Sequence, residues 1–159
     1  MSFKEKWLTA VEKKNSVLCA GMDPAEFHMG RGDEGLPESQ PSKRHWALGY
    51  IEAVAPYCAA IKPNIQYWKG RGYMQDEQDM CTLSEMCSLS HSLGMVVIED
   101  SKLADIGPTN DAGMYYAAKK RMDAITYSPF AGNIKEAAEQ AHKHNLGLIS
   151  MCLMSNPEY

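Results

Sequence analysis

Apolar and polar positions along this chain alternate in blocks whose period switches between that of a helix and that of a strand. Over 2–13, Phe3, Trp7, Leu8 and Val11 share one helical face, and Ser2 stands where a side chain caps the first free amides. The run Val17-Leu18-Cys19-Ala20-Gly21-Met22 reads as a first strand, closed by Asp23-Pro24. A polar loop rich in Gly and Pro follows through Pro41. Ser42 is placed to cap a second helix, in which Trp46, Tyr50, Ile51 and Val54 recur at helical spacing. Residues 57–61 read as a second strand, before Lys62-Pro63-Asn64. Met80, Leu83, Met86, Cys87 and Leu93 make a helical stripe over 79–93, stopped by Gly94. A third strand over 95–99 leads into a charged run, then a helix over 109–120 with Pro108 near its first turn. Residues 124–127 predict a fourth strand, 133–143 an alanine-rich helix, and 148–153 a fifth strand.

Strands that alternate with helices predict an α/β fold built on a parallel sheet. The strands read as nearly continuous apolar runs, as parallel strands covered on both faces do. Polar punctuation gathers at their C-terminal ends: Asp23, Lys62, Asp100 with Lys102, and Ser155. Active sites of (β/α)8 TIM-barrel folds lie at that end. Such a barrel usually needs about 250 residues. At 159 residues the chain is expected to hold roughly the first five strands, as a single partial barrel domain over 1–159 without strands 6–8. A separate C-terminal fragment or self-association would then cover the open sheet edge.

Composition narrows the function classes. The chain is 45% hydrophobic and 23% charged, with no apolar run long enough to span a membrane and no signal-peptide pattern at its start. Net charge is −4 and the basic residues are scattered, so no nucleic-acid footprint is present. The five cysteines form no C-x-x-C pair and are expected to be reduced thiols of a cytoplasmic protein, with Cys19, Cys58 and Cys152 buried in apolar runs. The five histidines show no metal-ligand spacing, and His142 and His144 are expected to be solvated.

The chemistry concentrates at the end of the third strand. Asp100-x-Lys102-x-x-Asp105 sets charges of alternating sign where burial makes them costly unless they pair or work. Strand alternation points Asp100 and Lys102 to one face, and Lys62 ends the neighbouring strand. Asp105 follows in the loop, where it faces either the same site or a neighbouring subunit. An isolated D-x-K in a strand is more often a structural ion pair, but Lys62 on the neighbouring strand, Asp105 and the tight loop Ile106-Gly107-Pro108-Thr109 weigh against that here. Two lysines and two aspartates make an array in which each ammonium favours ionisation of its carboxylate neighbours.

The stretch Asp100-Ser101-Lys102-Leu103-Ala104-Asp105-Ile106-Gly107-Pro108-Thr109 closely resembles the D-x-K-x-x-D-I-x-x-T signature of orotidine 5′-phosphate decarboxylases. Four more stretches match that family in order: Leu18 to Pro24, Ile61-Lys62-Pro63-Asn64, Asp123 to Pro129, and Met154-Ser155-Asn156-Pro157. The resemblance implies a cofactor-free and metal-free decarboxylation of orotidine 5′-phosphate to UMP in a homodimer with shared active sites. It implies a charged tetrad of Lys62, Asp100, Lys102 and Asp105, with Lys102 protonating C6. It also implies that Asp23 holds ribose hydroxyls, that Thr109 and Asp105 reach the partner subunit's site, and that Ser155 bonds the base. The closing loop and phosphate grip of the family belong to strands 6–8, and Glu158 replaces the glycine expected after Ser-Asn-Pro. Two alternatives stay open. One is a magnesium-dependent sugar-phosphate decarboxylase or synthase of the same suprafamily. The other is a non-catalytic half-barrel that serves binding or assembly.

Overall fold

Five parallel strands form one sheet in sequential order, β1 (Cys19–Met22), β2 (Ala60–Pro63), β3 (Val96–Leu103), β4 (Ala124–Tyr127) and β5 (Gly147–Ser150). The computed structural model describes residues 1–26, 29, 36, 42–69, 73–153 and 156–158, with 73–77 as backbone. Helices α2 (Lys43–Val54), α3 (Tyr73–Ser92), α4 (Gly107–Lys119) and α5 (Ile134–Lys143) follow β1 to β4 in alternation. Short 3-10 turns at Ile65–Trp68 and Pro129–Ala131 lead out of β2 and β4. Among the described residues no helix is long and apolar enough to cross a membrane.

Alternation along the strands divides the sheet into two faces. Ile61, Val97, Ile125 and Tyr127 join Ile51, Leu83, Met86, Met114 and Ala137 in the larger core, beneath the helices. The opposite face begins with a layer of smaller side chains, Ala60, Val96, Ile98 and Ala124, packed with Ala10 of helix α1 (Phe3–Lys14). That layer matters for the site. One step further along the same face, each strand offers a polar residue: Lys62 two after Ala60, Asp100 two after Ile98, Thr126 two after Ala124. On the helix-covered face, Glu99 is buried and pairs with buried Lys120 at the C-cap of α4.

Helix α1 closes the N-terminal end of this face. Ser2 and Glu5 form a reciprocal capping box, and Asn15 ends the helix in the left-handed region at φ 48°. Lys6 Nζ donates to Oδ1 of buried Asp123 at 2.7 Å, while Oδ2 of Asp123 contacts His91 Nε2 at 2.7 Å and accepts from the Val97 amide at 2.9 Å. Phe3 lies directly over Gly147, where any Cβ would overlap the Phe3 ring.

Several boundaries differ from those predicted. Strand β3 runs on through Leu103 rather than ending at 99, because Asn64 bridges Asp100 and Tyr127 pairs with Leu103 across a register shift. Strand β2 starts three residues later than predicted and ends two later, since Tyr57 and Cys58 close the end of α2 through amide bonds to Val54 O. Strand β5 covers Gly147–Ser150, set by its pairing with β4. Helix α3 starts earlier, at Tyr73. All five cysteines are free, but only Cys58 and Cys87 are buried. Cys19 and Cys152 are exposed because they belong to or follow the outer strands of the sheet. His144 is half-buried and contacts Asp111 Oδ1 at 2.9 Å, so it is a hydrogen-bond partner of Asp111 rather than a solvated side chain.

Candidate active site

The polar layer on the α1 side of the sheet brings Lys62, Asp100 and Lys102 into direct contact. Nζ of Lys62 donates to Oδ2 of Asp100, and Nζ of Lys102 donates to Oδ1 at 2.5 Å. A third donor, the Thr126 hydroxyl, reaches the same Oδ1 at 3.1 Å. The Asp100 side chain is 7% exposed, against 33% for Lys62 and 43% for Lys102. The carboxylate therefore sits at the floor with two ammonium groups open above it. Burial pushes the Asp100 carboxyl up, but the hydrogen bonds from Lys102 and Lys62, with their charges, outweigh it and hold the group below its ordinary value.

The local backbone explains how Lys102 meets Asp100. Residues i and i+2 of a regular strand share a face but diverge along it. Here the β3–β4 register shifts between Glu99 and Leu103, and Lys102 takes φ 49°, in the left-handed region that non-glycine residues rarely enter. Its amide donates to Thr126 Oγ1 at 2.9 Å. Strained backbone of this kind gathers at functional sites.

Asp23 and Asp105 stand apart from this triad. Asp23 is exposed at the end of β1, and its Oδ1 accepts from Asn64 Nδ2 at 2.8 Å. Asn64 bridges to Asp100, which ties Asp23 to the same end of the sheet. The Asp105 carboxylate accepts from the Ile106 amide at 2.7 Å and forms no ion pair among the described residues. Its backbone is fixed from two sides. Buried Asn110 accepts from Asp105 N at 3.2 Å and donates to Asp105 O at 2.6 Å. Asn133 also donates to Asp105 O, at 3.2 Å, while Tyr127 donates to Asn133. Thr109 is exposed in the first turn of α4, beside Ile106 at 65% exposure. Ser155 lies outside the described residues.

The sequence pattern thus yields three of the four tetrad members in contact, with Asp105 on a separate, outward-facing loop. It does not single out Thr126, Asn64, Asn110 or Asn133. For Thr126 a signal was present, since it lies two residues after inward-facing Ala124. The asparagines carry no such periodic signal.

Similarity to known proteins bears on the same residues. The family model described as "Orotidine 5'-phosphate decarboxylase / HUMPS family" matches residues 16–159. An orotidine 5′-phosphate decarboxylase of a Nocardioides species is 33% identical over 148 residues, covering 89% of this chain and 52% of that protein. One from Corynebacterium glutamicum is 29% identical over 164 residues, covering 99% and 56%. The chain spans about half the length of the curated relatives it matches. Among solved structures, OMP decarboxylase of Leishmania donovani superposes with TM-score 0.70 at 23% identity, covering 99% of this chain and 56% of that one. The orotidine 5′-monophosphate decarboxylase of Methanocaldococcus jannaschii gives 0.65 at 25% identity, covering 90% and 57%.

Proposed function

The chain belongs to the orotidine 5′-phosphate decarboxylase / HUMPS family, and from that membership we propose that its polar layer carries the decarboxylation of orotidine 5′-phosphate to UMP. The observation that supports this most is the Lys62–Asp100–Lys102 contact, an ionised floor carboxylate beneath two open ammonium groups. The whole activity is assigned to a closed barrel, to which this chain contributes β1–β5 as one domain.

The chemistry follows from charge placement. The C6–carboxylate bond of the substrate breaks, its electron pair stays on C6, and carbon dioxide leaves. The resulting vinyl carbanion is poorly delocalised by the ring. An ammonium beside C6 gains interaction as negative charge concentrates there, so it binds the transition state better than the ground state. Lys102 then gives a proton to C6 and is recharged from solvent. Asp100 stands against the departing carboxylate, and the repulsion between them is relieved as carbon dioxide departs. Lys62 keeps Asp100 ionised through this change. No metal or organic cofactor has a step in this scheme.

The remaining roles are part of the same proposal. Asp23 holds ribose hydroxyls and Ser155 bonds the base. The outward setting of Asp105 and Thr109, next to exposed Ile106, supports their reaching the nucleotide in a second copy of the chain. The free cysteines fit a reducing, cytoplasmic setting.

The test is an assay with orotidine monophosphate and EDTA. It uses the protein alone and the protein supplemented with the C-terminal half of a relative. Decarboxylation is expected in at least one of these, and Lys102→Ala is expected to abolish it. Activity that survives Lys102→Ala overturns the mechanism. Metal-dependent turnover of a ketose phosphate in its place, or no turnover in any form, overturns the function.

A further inference from the structure

The proposed mechanism uses two lysines and one aspartate at the floor of the site, yet a fourth side chain is bonded to both ends of the Asp100–Lys102 pair. We propose that Thr126 is a positioning residue of this site, its single hydroxyl fixing the backbone turn that presents Lys102 and the carboxylate against which Lys102 is set. The inference rests on the decarboxylase reading for its catalytic consequence, but its geometry stands independently.

The direction of the bonds carries the argument. Thr126 Oγ1 accepts the Lys102 amide proton at 2.9 Å. The hydroxyl's own proton is then free for an acceptor, and Asp100 Oδ1 lies 3.1 Å away. An ionised carboxylate only accepts, so the chain must run from Lys102 N–H to Thr126 O–H to Asp100. The relay closes a ring, because Lys102 Nζ returns to that same Oδ1 at 2.5 Å.

Each half of the relay does separate work. The amide bond serves the residue with φ 49°, where β3 shifts register and ordinary ladder pairing is interrupted. Without it the left-handed turn loses a partner, and Lys102 relaxes toward regular strand geometry with its ammonium displaced. The hydroxyl bond favours the charged form of Asp100, along with Lys62 and Lys102 that face the same carboxyl. Thr126 sits on β4, an interior strand paired on both sides, over the packed layer of Ala124 and Ile98, so the anchor itself is rigid. A β-branched threonine also has restricted χ1 freedom, which holds the hydroxyl at one height above the sheet.

Thr126→Val keeps shape and removes both bonds. Thr126→Ser keeps the hydroxyl, and Thr126→Ala serves if the valine variant folds poorly. Two readouts separate the claims. Carbon-13 NMR of the Asp100 carboxyl during an acid titration reads the relay without any catalysis. In the form of the protein that turns over, kcat and KM for orotidine monophosphate read its consequence. Valine is expected to move the Asp100 titration to higher pH and lower kcat roughly ten- to hundredfold, with KM changing far less. Serine is expected to restore both. A valine variant with the wild-type titration and kcat, or a serine variant as impaired as valine, overturns the proposal. If wild type fails to decarboxylate, the parent function falls and the catalytic half falls with it. An unmoved Asp100 titration in the NMR arm instead refutes the relay itself.

Discussion

Amide side chains, buried Asn110 above all, decide where Asp105 stands. Asn110 answers both the N–H and the C=O of Asp105, as a neighbouring strand would, at a point where the chain has left the sheet. Replacing it with alanine removes the partner of the Asp105 N–H and one of the two donors to its C=O, Asn133 being the other, at a cost of about 1 kcal/mol. Asn110→Ala is therefore expected to lower the denaturant midpoint and reduce kcat through Asp105, while the carboxyl titration of Asp100 stays in place. Loss of activity with a shifted Asp100 titration would show that the two loops are not separate. Legibility in the sequence differs between these residues for a physical reason. Lys62, Asp100 and Lys102 stand out because charge at the end of an apolar strand is expensive. Threonine in a strand and asparagine in the first turns of a helix violate nothing, so Thr126 and Asn110 become visible only once the chain is folded.

Helix α1 is pinned to the sheet by one buried carboxylate in addition to its apolar face. Burial pushes the Asp123 carboxyl up, but bonds from His91, Lys6 and the Val97 amide more than offset it and hold the group below its ordinary value. A carboxyl depressed by folding adds stability that is fully present above the unfolded value of about 3.9. That stability is lost as pH falls through the lower folded value. Asp123→Asn is accordingly expected to unfold at lower temperature than wild type near neutral pH, with the gap closing as acid protonates the wild-type group. Parallel melting curves across this range, with a constant gap, would contradict the assignment. The pattern of element existence was readable throughout: capping by Ser2 and Ser42 and the positions of α4, α5 and β4 follow from local sequence. The ends of β2, β3 and β5 were not, because pairing with a neighbour sets where a strand stops.

At the scale of the whole molecule, the sheet separates two kinds of exposure. The lysines open onto the α1 side of the strands, whereas Asp105, Thr109 and Ile106 project from the loop that follows β3. The proposed sharing of that loop between two copies makes a definite prediction for the form of the protein that turns over. Lys102→Ala and Asp105→Ala, each inactive as a pure protein, should regain about a quarter of wild-type activity when refolded together in equal amounts, since half the pairs are mixed and each has one intact site. No recovery would confine both residues to the same copy. The fold class was legible from strand–helix alternation alone, but the inner layering was not. It depends on which strand face α1 covers, and hydrophobicity does not distinguish the two faces of a strand buried on both.

The sequential strand order has a consequence for how the chain is made. A ribosome delivers β1 to β5 in the same order in which they lie side by side, so each new strand meets a neighbour already synthesised. Helix α1 breaks this rule, because the carboxylate that receives Lys6 comes 117 residues later. Full seating of α1 therefore waits for Asp123: β2 and β3 offer Ala60, Val96 and Ile98 to Phe3, Trp7 and Val11 earlier, but the ion pair of Lys6 and the Ala124 edge of that platform come only with β4.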